Sequence, residues 1–474
     1  TLYVGGTGPG NYTSIQQAID NASNGDTVFV YHGLYVEHII VDKTINLIGE
    51  NKDTTIIDGG NIGDTPCIYV AAPWVNITGF TLQWADWEHH EPSIEVHAPH
   101  THIFYNNITS NDRGVSLFPS SNGCIIEDNI FYWNHYGVIT DTQGSFYHCI
   151  SNNSFIRNDI PIYMRLSAWI TIEGNFFYLN GWQAVLFEGC TKSVIKENDF
   201  INNGEGVSII GNSENNTIFH NNFEDNYHNA NDAGVDRWDN GFEGNYWSDY
   251  TGTDDDRDGI GDTPYKIPGG GNIDRYPFIE KNGWIPFTAN AHGPYNAYIN
   301  NAIQFIGSAN GGNPPYTWYW DFGDGITSRE QNPIHVYTSK GVYNVTLVVY
   351  DSKNQSAFDE TYAYITIKDT VPPVVNIVKP RNGFYINDNK FFSIPLHISI
   401  VIGNLTIEVD ASDEDSGISY VEFLIDGELR EICYNRPYIY KWTDASFDIH
   451  QISVVAYDNS ENHRETTTKV FKIA

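Results

Sequence analysis

The dipeptides Asn107-Ile108, Asn129-Ile130, Asn153-Ser154, Asn175-Phe176, Asn198-Asp199 and Asn222-Phe223 recur at steps of 22, 24, 22, 23 and 24 residues. A period of this size is that of a solenoid, in which each repeat is one coil that buries its apolar face only against its neighbours. A second column, Val115, Val138, Ile162, Val185 and Val207, advances by 23, 24, 23 and 22 residues and keeps step with the first. Within these segments apolar residues alternate, as in Val115/Leu117, Val185/Phe187 and Val207/Ile209, the period of a strand with one face inward. The expected fold is all-β: a parallel β-helix whose coils pair backbone to backbone at ~4.8 Å with like side chains stacked. Asn suits both the sharp corners, where it tolerates left-handed backbone, and amide ladders between coils. A leucine-rich repeat shares the period, but its Leu-rich consensus is missing.

The earlier chain continues the pattern less evenly through TVFVYHGLYVEHIIV, TINLIGE, TTIIDGG and VNITGFTLQ. Residues 13–22, TSIQQAIDNA, offer a Thr/Ser cap and Ile15, Ala18 and Ile19 at helical spacing, which predicts a short helix closing the open first coil. Residues 285–368 hold alternating strands between turn residues and predict a β-sandwich. Asp369-Thr370-Val371-Pro372-Pro373 reads as an extended linker, because Pro biases its predecessor away from helix. VVNIV, LTIEVDA, SYVEFLIDG, YIYKW and HQISVVAYDNS then predict a second sandwich over 369–474.

Charge and composition narrow the function classes. The net charge of −34 sets a nucleic acid or an anionic membrane surface against the protein's own field, so neither is an expected partner. The longest apolar run, Ile394 to Ile402, is nine residues, far short of the ~20 that span a bilayer, so no transmembrane segment is expected. Abundant Asn, a single Met (Met164) and a start at Thr1 without a leader read as a mature, exported chain. Nine Asn-x-Ser/Thr sites, among them Asn11, Asn21, Asn76, Asn107 and Asn152, permit glycosylation without requiring it. Cys67, Cys124, Cys149, Cys190 and Cys433 are odd in number and irregular in spacing, which predicts buried free thiols.

YTSIQQAIDNASNGDTVFVYHGLYVEHIIVDKTINLIGE, the repeats, and WDNGFEGNYWSDYTGTDDDRDGIGDTPYKIPGGGNIDRYPF together resemble the NosD-type right-handed parallel β-helix proteins of the pectate-lyase-like fold. The resemblance covers about residues 1–284 and implies an exported β-solenoid without implying an activity. Trp320-Asp321-Phe322-Gly323-Asp324-Gly325, with Asn332-Pro333, His335-x-Tyr337 and Gly341-x-Tyr343, resembles the PKD domain, an extracellular immunoglobulin-like module. There the Asp and Gly residues are expected to form turns and the aromatics a core. Residues 369–474, with Ser416-Gly417-Ile418 and Asp426-Gly427 at turns, resemble a second immunoglobulin-like module of archaeal and bacterial surface proteins.

The sharpest ligand signal is Asp254-x-Asp256-x-Asp258-Gly259-Ile260-Gly261-Asp262, within a closing segment at about 239–284. Carboxylates at positions 1, 3, 5 and 9 of a tight loop repel one another unless a divalent cation compensates, and the Ile260 carbonyl takes the usual position 7. This predicts Ca2+. Position 12 is Tyr265 rather than Glu, so Asp274 or Asp249 is the expected completion. On the solenoid's outer face His97, Phe118, Asp141, Arg165 and Glu188 form one column, and Asp112, His135, Asp159 and Trp182 run beside it. Asp141 and Glu188, two coils apart at ~4.8 Å per coil, are near the upper limit for an inverting pair. Arg165 between them keeps both ionised, which favours a structural ion ladder over catalysis. Trp182, Tyr163, Trp84 and Trp87 offer rings on which a sugar could stack. His89, His90, His97, His100 and His102 fall within fourteen residues, but Pro92 and Pro99 interrupt them and no regular ligand spacing emerges, so no copper function is carried over from the resemblance.

The expected role is structural or adhesive at the cell surface, as a surface-layer, sheath or extracellular-fibre subunit with possible polysaccharide contact. Self-association, or association with other surface proteins, would use unpaired backbone at solenoid ends and sandwich edges; the C-terminal TTTKVFKIA is expected first as the last strand of its own sandwich, with completion of a neighbouring module as the alternative. The alternatives are a polysaccharide lyase or glycoside hydrolase acting on the β-helix face, and a metal-handling β-helix protein.

Overall fold

The computed structural model describes residues 1–473 apart from 61–64, 86–89, 141, 142 and 396. The chain forms two compact units, Thr1–Phe287 with Asn310–Gly312, and Thr288–Ala309 with Asn313–Ala474.

The first unit is a parallel β-solenoid. Three sheets of 11, 9 and 10 strands run along it, and a regular coil gives one strand to each. One coil consists of Cys149–Ser151, Ser154–Ile156 and Ile160–Arg165, paired in parallel with Thr171–Glu173, Phe176–Tyr178 and Gln183–Glu188 of the next. The column Val115, Val138, Ile162, Val185, Val207 is in register and fully buried. Beside it Phe131, Phe155, Phe177, Phe200 and Phe223 stack at centroid distances of 4.7, 5.0, 4.7 and 4.9 Å, ending on Trp247 at 4.4 Å. The rings repeat at the coil spacing because that spacing falls within the centroid separation of offset-stacked aromatics.

Two buried amide ladders hold the corners. Asn106, Asn129, Asn153, Asn175, Asn198, Asn221 and Asn245 form the first; Asn106 Oδ1 accepts from Phe80 N–H, and every later side-chain oxygen accepts from the backbone N–H and Nδ2 of the Asn one coil earlier. Asn111, Asn134, Asn158, Asn180, Asn203 and Asn226 form the second. The sequence reading takes Asn107 and Asn222 where the ladder uses Asn106 and Asn221, one residue earlier, and does not include Asn245; Asn107 and Asn222 begin the following strands. The left-handed residue is also not the ladder Asn but the one before it, as at Tyr105, Asp128, Asn152 and Glu197.

Ser14 caps the helix Ile15–Asn21, whose Ile15, Ala18 and Ile19 cover the first coil's interior. At the other end Trp238 and Trp247 are buried. All five cysteines are free; Cys67, Cys124 and Cys190 are buried as expected, whereas Cys149 and Cys433 are only half-buried.

In the second unit a five-stranded sheet carries Thr317–Asp321, Gly341–Tyr350 and Ser356–Thr366. Trp320, Phe322 and Tyr337 are core, and Asp321 and Asp324 close turns by accepting from Gly323 and Ile326 N–H. The last sandwich packs Val375, Ile407 and Trp442 of a three-stranded sheet against Phe423, Val454 and Val470 of a seven-stranded one. Its final strand, His463–Ile473, pairs along its length with Phe447–Asp458 and, over Val470–Ile473, also with Ser399–Ile402. Of the two readings of TTTKVFKIA, the ordinary one, the last strand of its own sandwich, is what the structure shows, with Val470–Ile473 paired on both sides.

Candidate functional site

On the outer face of the nine-stranded sheet, strands Arg113–Leu117, Tyr136–Thr140, Ile160–Arg165 and Gln183–Glu188 lie side by side. Pairing sets Ser116 beside Ile139, Ile139 beside Tyr163, and Arg165 beside Glu188. Because strand residues alternate faces, these side chains share the outer side while Val115 and Leu117 fill the interior. Ser116 is the shortest of the row, and above it opens a cavity of about 190 Å3 lined by Arg113, Phe118, Tyr136, Thr140, Tyr163 and Arg165 among others.

The predicted ion ladder exists on one side. Arg165 Nε lies 3.3 Å from Glu188 Oε2, and the Tyr163 hydroxyl donates to the same carboxylate. Burial, with that bond to Glu188, pushes the Tyr163 hydroxyl up to about 12. Asp141, the other expected carboxylate, and Trp87 and His89 lie outside the described residues. Trp182 is exposed and meets the edge of His135, which bonds Asp159 at 2.7 Å. Asp112 does not join that pair; it is 2% exposed and meets His90 at 3.0 Å.

Sequence reasoning missed two groups at the cavity. Ser116 is 2% exposed and its hydroxyl has no hydrogen-bond partner. Arg113 Nε is sealed from solvent and also unpartnered, its approach to Asp112 Oδ2 being 3.6 Å, too long for a hydrogen bond. Buried polar groups are normally paired, and leaving one unpaired costs about 1–3 kcal/mol. No periodicity marks these residues, since an outward position is free to vary from coil to coil.

In the acidic loop, Asp254, Asp256 and Asp258 bring one carboxylate oxygen each within 4.8 Å of one another. The Asp258 N–H bond pulls the Asp256 carboxyl down, while the charges of Asp258 and Asp262 push it up, and the net direction is up. Asp262 turns to the loop backbone, accepting from Asp255 N–H at 2.7 Å. Ile260 donates its N–H to Asp258 and bridges to Phe278. Neither suggested completion is free: Asp249 accepts from Asn229 and Tyr265, and Asp274 is buried beneath Trp247. A second acidic cluster, Asp369, Asp413 and Asp458, went unread in the sequence because its members are about 45 residues apart.

The histidine-rich stretch forms no copper-type centre among the described residues. His97 stacks between Tyr69 and Phe118, His100 stacks on Trp74, and His102 bonds Glu127. Met164 is buried in the core. Soft and imidazole donors that point to separate partners do not fit copper.

Comparison with known proteins places three families along the chain. The periplasmic copper-binding protein (NosD) family matches residues 19–252, the PKD domain residues 286–367, and the bacterial Ig domain residues 373–454. Collagenase ColQ1 of Bacillus cereus (strain Q1) is 44% identical over 84 residues, and collagenase ColA of Bacillus cereus (strain ATCC 14579) 41% over 81. Each match spans 17% of this chain and only 8% of the collagenase. Among solved structures, the complex of XylC with xylose is 11% identical with a TM-score of 0.42, covering 59% of this chain and 73% of that one. The A-module of Azotobacter vinelandii mannuronan C-5 epimerase AlgE6 is 15% identical with a TM-score of 0.34, covering 47% and 74%.

Proposed function

We propose that this chain, which carries a NosD domain, a PKD domain and a bacterial Ig domain in that order, is an extracellular structural or adhesive protein of the cell surface. Its domains are 1–284, 285–368 and 369–474. The carrying observation is the commitment of Glu188 to both Arg165 and Tyr163. A carboxylate held by a guanidinium and a phenolic hydroxyl is committed to tying one coil to the next, so the outer face serves contact rather than hydrolysis. The solenoid interior, stacked ring on ring and amide on amide, makes that face rigid. Calcium at Asp254, Asp256 and Asp258 supports the closing segment by compensating three crowded carboxylates. Glycan chains on exposed sequons and contacts with copies of itself or other surface proteins complete the reading.

Electron microscopy of native material is the test. Fibres, sheets or a lattice on cells carry the reading. A dispersed protein that releases unsaturated ends or reducing sugar from a polyuronate panel replaces it with the lyase or hydrolase alternative.

A further inference from the structure

The cavity above Ser116 joins three features. Its floor carries a buried hydroxyl without a hydrogen-bond partner, its wall carries Arg113, whose buried Nε–H makes no hydrogen bond although Asp112 lies 3.6 Å away, and a second guanidinium, Arg165, borders it. An Arg Nε can only donate, so what settles it must present an acceptor, and a charged acceptor makes the stronger bond. The rest of the lining is aromatic: Phe118, Tyr136 and Tyr163 give apolar ring surface beside hydroxyls. That mixture matches a pyranose, with an apolar C–H face and polar rim. At about 190 Å3 the cavity is smaller than the roughly 300–1,000 Å3 of drug-sized sites and takes one ring.

We propose that this pocket binds a single acidic sugar, through its carboxylate or sulfate, within an otherwise neutral glycan. The inference rests on the reading of the outer face as a contact surface and names its ligand class. The restriction to one acidic unit follows from charge. The protein is −34 overall, and Asp112 and Glu188 stand beside the two arginines, so a run of adjacent carboxylates is repelled at every unit but the one in the pocket. The unscreened range of about 8 Å at physiological salt reaches neighbouring sugars. Among the described residues, an isolated anion in the pocket faces Arg113 and Arg165, each of which also stands beside one carboxylate.

Calorimetric titration of the full chain tests this, at a concentration where light scattering confirms dispersed protein, so that binding is read independently of assembly. The probes are glucuronate and N-acetylneuraminate for the carboxylate, glucose 6-sulfate for the sulfate, lactose as the neutral control, and a hexauronate as the polyanion. At least one single-anion sugar should bind ten-fold or more tightly than lactose, and the hexauronate no more tightly than glucuronate per site. Which single-anion probe is tighter identifies the group. Arg113→Gln should weaken binding ten-fold or more. Ser116→Val, which fills the floor and removes the unpaired hydroxyl, should weaken it similarly while leaving the melting temperature equal or higher, which excludes misfolding as the cause. No binding of either anion class at 10 mM, equal binding of lactose, tighter binding of the hexauronate, or unchanged affinity in a folded Ser116→Val protein overturns the proposal. Fibres on cells would in that case leave the structural reading standing.

Discussion

Asp236 shows how one carboxylate senses its surroundings. Its Oδ1 accepts from the backbone N–H and Nδ2 of Asn216, while its Oδ2 is buried without a donor, with Asp232 as a charged neighbour. Burial, opposed by the Asn216 bonds and reinforced by Asp232, raises its pKa to about 6, and burial raises Asp274 to about 7. Both groups therefore bind protons more tightly folded than unfolded. The stability they contribute is complete below pH ~4, near their ordinary values, and is lost as pH rises through 6 to 7. Asp236→Asn supplies an N–H where the bare oxygen sits. We expect it to raise stability at pH 8 by about 1–3 kcal/mol and to change little at pH 4, where the acid already carries its proton. Thermal melts of both proteins at the two pH values check this, and an equal effect at both would be inconsistent with it. At the ladders, Asn153→Ala should cost about 2–4 kcal/mol in denaturant titration, because it strips partners from Ile126 O, Ser151 O and Asn129 N–H at once.

Between single residues and the whole lie the coil, the stack and the loop. Phe177 stacks on Phe155 and Phe200, within 7° of parallel to each, so Phe177→Ala opens a cavity between two rings that the backbone spacing prevents from closing. A loss of about 3–5 kcal/mol is expected by denaturant titration. The acidic loop should respond to its ion instead. Chelation should lower the melting temperature by a few degrees and expose the chain near residue 255 to protease, whereas Asp254→Asn with Asp258→Asn should be indifferent to EDTA. Indifference of the unmutated protein would remove calcium from this element.

For the whole molecule, the question is which unpaired edges face water. The short helix covers the solenoid's first coil, and the last residues of the C-terminal strand, Val470–Ile473, are paired on both sides, so neither terminus offers a free edge. Asn389–Phe392 ends its seven-stranded sheet, with Phe391 63% and Phe392 58% exposed. An apolar, unpaired edge strand is where chains add to chains. Self-association should rise with salt and calcium as the −34 charge is screened, and Phe391→Lys should weaken it without unfolding the protein. Light scattering at micromolar concentration reads both effects, and a strictly monomeric protein under all conditions would count against assembly.

The solenoid is written in the period of the chain, because a coil must bury its apolar column against the next coil and so repeats it at a fixed step. Val115 through Val207 were legible for that reason, as were the cap at Ser14 and the turn residues of WDFGDG. The period left the first Asn ladder one residue out at two positions, since at Asn106-Asn107 and Asn221-Asn222 two adjacent amides compete and a single step reverses which face a side chain takes. Only the tertiary structure decided that Ser116 and Arg113 meet Tyr163 and Arg165, two coils further along, around one cavity. Outward side chains are under no packing constraint that repeats, so their chemistry is written in the stacking of coils rather than in the period.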